Sequence, residues 1–81
     1  MPLFFFDYFD EDGRDLDTDG IEFPDIEAAY IDAYHSVIDI WAEARHKGRD
    51  VSRHRLEIRD TTGSIVMELP FGEVLGAASR G

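Results

Sequence analysis

The chain contains no cysteine among its 81 residues. Disulfide bonds and thiolate zinc sites are therefore excluded, and the composition fits a reduced, cytoplasmic compartment. Long apolar runs are also missing, because the opening MPLFFFDYFD has no basic residue before its aromatic run and is interrupted by Asp7. A signal peptide begins with basic residues, and a membrane span needs about 20 apolar residues. We expect neither, and no contact with a membrane.

Basic residues are scarce. Eight of them face 18 acidic residues, which gives a formal charge of −10. Such a surface repels phosphate backbones, so we expect no nucleic-acid partner. The charge is uneven: residues 7–27 hold ten acids and one base, whereas residues 45–59 hold six bases and two acids. This asymmetry suits a basic protein partner, a cation or self-association, and the plainer alternative is that the charge keeps a small domain soluble.

Aromatic and alternating segments predict the secondary structure. Residues 3–9 form an aromatic strand with Phe4, Phe6 and Tyr8 on one face, which we expect to be the core face. Residues 21–23 are predicted as a short second strand. Residues 53–60 and 64–69 alternate as two strands joined by the turn sequence DTTG, and Pro70 ends the second of them.

Between these strands lies a predicted helix of about 22 residues. Asp25 is a candidate cap, apolar residues recur at three- and four-residue spacing from Ile26 to Ala44, and Gly48 is a candidate left-handed end. The predicted order is strand, short strand, helix, strand, strand. It indicates an α+β fold, a two-layer sandwich with one long helix on one face of a mostly antiparallel sheet of three to four strands. We expect residues 1–75 to form one domain and residues 76–81 a frayed tail.

Two runs of the sequence carry a resemblance to a known family. They are FFFDYFDEDG…DTDGIEFPDIEAAYIDA and AEARHKGRDVSRHRLEIRDTTGSIVMELPF. They resemble small proteins from rhizobia and related alphaproteobacteria that are catalogued as a domain of unknown function. The resemblance covers nearly the whole chain, and its motifs are turns and core positions. It implies a fold and no catalytic residue.

The segment DEDGRDLDTDG, residues 10–20, resembles the first half of a calcium-binding loop. Asp15, Asp17, Asp19 and Gly20 match the early positions, and Glu22 is a further candidate ligand. The last position of that loop, however, is Ile26 where the motif has glutamate, and a strand precedes the loop where the motif has a helix. The alternatives are a specific calcium site, weak cation binding, or a solvated acidic turn, which we favour.

Catalysis finds little support in the sequence. The serines have no recognisable base beside them, no glycine-rich phosphate loop is present, and the three histidines, His35, His46 and His54, lack ligand spacing. We expect a protein that is not an enzyme and has no cofactor, apart from the calcium alternative.

Partner binding is the remaining class. A sheet covered by a helix on one side leaves its other face exposed, and Phe5 and Phe9 fall on that face. Arg55 and Arg59 would rim the same surface, or would lie over the two rings and shield them. We expect a small non-enzymatic interaction or regulatory module that forms a homodimer, or binds another protein, through this face or through an edge strand.

A further alternative is an antitoxin-like domain that neutralises a basic partner, since the first half of the chain resembles the N-terminal half of HicB-type antitoxins.

Overall fold

The computed structural model describes residues 1–80, and of residues 77–80 it describes the backbone alone. The elements follow in chain order: β1 (Leu3–Asp10), β2 (Gly13–Asp15), β3 (Ile21–Glu22), α1 (Ile26–His46), β4 (Arg55–Arg59), β5 (Ile65–Pro70) and α2 (Phe71–Arg80).

All strand pairs of the sheet are antiparallel. The strand order is β2-β1-β4-β5, and β3 also pairs with β1. The predicted α+β fold class is confirmed. The sheet has five strands, because β2 folds back on β1 through a tight turn after Asp10, and Gly13 has the positive φ of +136° that this turn requires. The composition of β2 gave no strand signal.

Helix α1 begins at its predicted cap. The Asp25 carboxylate accepts a hydrogen bond from the Ala28 amide, and the small residues Ala29 and Ala33 are buried and let the helix approach the sheet closely. At the other end, Gly48 has φ of +71°, and the Arg49 amide donates to the Ala44 carbonyl at 2.7 Å. This turn fixes where the chain leaves the helix.

The core lies between the sheet and both helices. Its fully buried larger side chains are Phe71, Ile58, Leu69 and Val37. The expected core face of β1 is confirmed, because Phe4 is buried and Phe6 and Tyr8 pack against the core. Neither helix of the described residues is long and apolar enough to cross a membrane.

Helix α2 extends past the predicted single turn at residues 71–75 and includes residues 76–80 of the predicted tail at residues 76–81. The last residue of that tail, Gly81, lies outside the described residues, and fraying of the tail stays a prediction.

Candidate interaction surface

The sheet face opposite the helices, here called the outer face, is built from three rows that cross the strands. One row joins Arg14, Phe9, Arg55 and Pro70; the middle row joins Asp7, Glu57 and Glu68; the third joins Phe5, Arg59 and Ile65. Arginine and aromatic side chains therefore flank a row of carboxylates. Both helices pack on the other side of the sheet, and on this face the acidic loop, residues 10–20, lies against Phe5, Asp7 and Arg59.

Two arginines lie over the two outer aromatic rings. The guanidinium carbon of Arg55 is 4.2 Å from the centroid of the Phe9 ring, and that of Arg59 is 4.8 Å from the centroid of Phe5. Both distances are within the range of a cation–π contact. The structure thus brings the four predicted partner-binding residues together and shows the rings partly shielded. Their binding to a partner stays a proposal.

The Asp7 carboxylate accepts the hydrogen bonds that connect the outer face to the acidic loop. The Asp7 side chain is buried although it lies on the exposed side of the sheet. It accepts hydrogen bonds from Arg59 Nε at 2.9 Å and Arg59 Nη2 at 3.2 Å, and from the Asp17 amide at 2.9 Å. Arg59 Nη2 also donates to the Asp17 carbonyl at 3.1 Å. This network ties the acidic loop to β1 and β4.

Asp17 organises the acidic loop from within. Its carboxylate accepts hydrogen bonds from the backbone amides of Phe6, Asp19 and Gly20, at 3.1, 3.0 and 3.3 Å. Gly20 has φ of +74°, and a Cβ there would lie 2.9 Å from the Phe5 ring, so only glycine fits. These contacts describe a structural turn.

The predicted calcium ligands lie in different parts of the fold and make different contacts. Asp15 is exposed in β2 opposite Tyr8, Glu22 is exposed in β3 opposite Leu3, and Asp19 is exposed in the turn that Asp17 closes. Among residues 1–80, no group of three or more His, Asp or Glu side chains is placed to hold a metal ion. The geometry therefore lends the cation hypothesis no support.

The carboxyl groups of Asp7 and Asp17 have shifted pKa values. Burial raises the pKa of Asp7, but the Arg59 and Asp17 hydrogen bonds outweigh it and hold the pKa below its ordinary value of 3.8. Burial likewise raises the pKa of Asp17, and its three backbone donors lower it below the same value. Both groups therefore stabilise the fold as carboxylates.

Acid is expected to weaken the fold through these two groups. The folded pKa values of both groups lie below 3.8. Their contribution to the free energy of unfolding is therefore complete above the unfolded pKa, and it is lost as the pH falls below about 4 through the folded values. The urea concentration at the midpoint of unfolding should fall between pH 6 and pH 3, and it should fall less for Asp17→Asn than for the wild type. The exposed Asp12→Asn is the control, and an Asp17→Asn profile parallel to that of the wild type would refute the assignment.

A second polar cluster lies at the core side of the sheet. The Tyr8 hydroxyl is 2.5 Å from His54 Nδ1, and His54 Nε2 is 2.6 Å from Glu11 Oε2. His54 is buried, whereas the Glu11 side chain is 68% exposed. Since a carboxylate only accepts, Nε2 of His54 carries a proton, and with the neutral imidazole Tyr8 then donates to Nδ1. Burial and the nearby Asp10 charge raise the pKa of Tyr8, which keeps it a neutral hydroxyl.

The sequence reasoning did not identify this cluster as a site. In the alternation of residues 53–60, His54 shares a face with Leu56 and Ile58, and Tyr8 lies on the expected core face of β1, so the sequence pattern is consistent with a contact between the two side chains. Glu11, however, lies 43 residues from His54, and only the β1–β2 hairpin brings it there.

Comparison with known families agrees with the fold and leaves the activity open. Residues 3–72 match the model of the Domain of unknown function (DUF6894), and the chain belongs to that family. Neither the curated proteins nor the solved structures yielded a match.

Proposed function

We propose that this DUF6894 member is a non-enzymatic interaction module that pairs with a second copy of itself through the outer face. The observation that carries the proposal is the charge of that face. With Asp17 beside Arg59, the outer face carries a net charge of −1, whereas the whole chain carries −10; its bases are Arg14, Arg55 and Arg59, and its acids are Asp7, Asp17, Glu57 and Glu68. Two copies therefore approach with least repulsion when these faces meet.

The composition of the outer face also suits an interface. Arginine and aromatic residues are enriched at protein–protein interfaces, and the guanidinium group is weakly hydrated and stacks on flat surfaces. Arg55 uses Nε for Glu57, and its side chain is 46% exposed, so further donors face outward. The exposed apolar residues Ile65 and Val66 border the same face, at 54% and 38% exposure.

Face-to-face packing is favoured over edge pairing. The longest free edge belongs to β5, and two features interrupt it as a template for another strand. A register shift inserts Val66 as an extra residue opposite the Ile58/Arg59 step, and Pro70 has no amide hydrogen to donate. Bulges and prolines are the common protections of an edge strand.

The size of the outer face predicts a weak dimer. The four adjacent strands β2, β1, β4 and β5 have 3, 8, 5 and 6 residues. At about 3.3 Å per residue and about 4.8 Å per strand, they make a face of roughly 350 Å². Stable complexes bury about 800 Å² on each partner, so we expect a reversible dimer with a Kd of roughly 10–100 µM.

A charge reversal at Glu68 tests the proposal. The Glu68 side chain is exposed and makes no hydrogen bond or ion pair within residues 1–80, so we expect Glu68→Lys to leave the fold intact. In a two-fold interface the change occurs twice, and each time it replaces an attraction to the partner's arginines by repulsion. We expect the dimer Kd, measured by sedimentation equilibrium, to rise about tenfold or more.

Asp39→Lys is the matched control. It makes the same change of charge at an exposed position on α1, on the opposite side of the sheet from the outer face, and should leave dimerisation unchanged or slightly stronger. Equal effects of the two substitutions, or a wild-type mass of 9.2 kDa at every concentration, would refute pairing through the outer face.

Other properties stay proposals beside this one. The absence of cysteine supports a proposed location in the cytoplasm, and the family resemblance supports a proposed origin in rhizobia or related alphaproteobacteria. An antitoxin-like role would require a small basic protein as partner, and its copurification from native cells would support that role in place of the homodimer.

A further inference from the structure

A cavity of about 310 Å³ lies between the C-terminal end of α1 and the sheet. Ile40, Ala44 and Val51 supply its apolar wall, and Tyr8 and His54 supply a polar floor. Its volume is at the lower limit of small-ligand pockets, which combine apolar walls with a few placed polar groups. The cavity lies on the helix side of the sheet and is separate from the outer face.

The floor offers a hydrogen-bond acceptor. Because the Tyr8 proton is directed to His54 Nδ1, the lone pairs of the Tyr8 oxygen are left to accept from a group in the cavity. Glu11 fixes this arrangement from the other side, through its contact with His54 Nε2. The acceptor is therefore oriented before any ligand enters.

The rim carries both signs of charge. Lys47 and Glu43 pair with each other at 3.0 Å and neutralise one another. Arg49 and Asp10 remain. The Arg49 side chain has no hydrogen-bond or ion-pair partner within residues 1–80, although its backbone is held by the Ala44 carbonyl. Asp10 accepts from the Asp12 amide through one oxygen, Oδ1, which leaves its other oxygen unused.

We propose that this cavity binds a small zwitterion with an aliphatic body, of the class of the aliphatic α-amino acids. Arg49 would hold the carboxylate, Asp10 and the Tyr8 oxygen would accept from the ammonium group, and the apolar wall would contact the side chain. A simple anion would be repelled by Asp10, and a simple cation would be repelled by Arg49. An uncharged apolar ligand would leave these rim charges without compensation.

Amide NMR titration with L-leucine tests the proposal. We expect saturable shifts at Tyr8, Val51 and His54, and an affinity about tenfold or more weaker for two analogues that each lack one charge. L-leucinamide lacks the carboxylate, and 4-methylpentanoate lacks the ammonium group. Each loss removes a charge-assisted hydrogen bond.

Arg49→Gln should weaken L-leucine binding about tenfold, whereas Arg53→Gln, an exposed arginine that does not line the cavity, should not change it. The proposal is overturned if either analogue binds as tightly as L-leucine, if the two arginine variants bind alike, or if L-leucine, L-isoleucine, L-valine and L-methionine all fail to give saturable shifts at the cavity.

Discussion

Replacing Phe71 by alanine is expected to lower the free energy of unfolding by about 3–5 kcal/mol. Phe71 has no exposed surface, and its ring makes an edge contact with Tyr8 at 5.6 Å and a tilted contact with His54 at 6.0 Å. It also begins α2, where its amide donates to the His54 carbonyl at 2.9 Å. A domain of this size has a total stability of roughly 4–12 kcal/mol, so the loss would leave much of the protein unfolded.

Chemical denaturation followed by circular dichroism measures this loss. Phe71→Leu retains most of the volume and should cost less, and Ile31→Ala, at a site 48% exposed on α1, should stay within about 0.5 kcal/mol of the wild type. A loss below about 1 kcal/mol for Phe71→Ala would contradict the packing of α2 on the sheet.

Replacing Asp7 by alanine is expected to cost about 2–3 kcal/mol, which corresponds to a fall in melting temperature of roughly 10–18 °C. The substitution removes the acceptor of two Arg59 donors and of the Asp17 amide together. This cost is below the roughly 3–5 kcal/mol that is usual for a broken buried pair, because the Arg59 side chain is 26% exposed and water can reach it. Asp7→Asn keeps one acceptor oxygen and should lose less stability than Asp7→Ala.

Asp12→Ala is the control for charge, since it removes the same carboxylate from the exposed hairpin turn. Thermal unfolding of the three variants should rank Asp12→Ala nearest the wild type and Asp7→Ala furthest from it. Equal melting temperatures for Asp7→Ala and Asp12→Ala would mean that the Asp7–Arg59–Asp17 network does not hold the loop in place.

Local sequence predicted the elements whose stability comes from their own periodicity. The alternation in β4 and β5, the aromatic run in β1 and the apolar stripe of α1 each indicate an element because burial follows the same period. β2 was missed because GRD has no strand propensity, and it becomes a strand by pairing with the edge of β1. Past Leu75, the segment GAASR gave no helical signal, yet the backbone continues as a helix to Arg80.

The site residues likewise divide into positions that the local sequence pattern predicts and contacts that depend on the tertiary fold. Alternation alone placed Phe5, Phe9, Arg55 and Arg59 on one face, and the register of β1 with β4 then decided which arginine covers which ring. The role of Asp17 depends on the amide of Phe6, which lies eleven residues earlier and becomes its donor only when the loop folds back. The sequence therefore allowed both a calcium loop and a turn, and tertiary contacts favour the turn.

Pairing through the outer face is tested most directly by isotope-filtered NOE spectra of a mixed sample, in which half of the chains are labelled. Only contacts between copies appear in such spectra. Our proposal predicts intermolecular cross-peaks from the Phe5 and Phe9 rings and from the Val66 methyl groups. Cross-peaks confined to exposed residues of α1 such as Ile31, or no intermolecular cross-peaks at a concentration near 1 mM, well above the expected Kd, would contradict it.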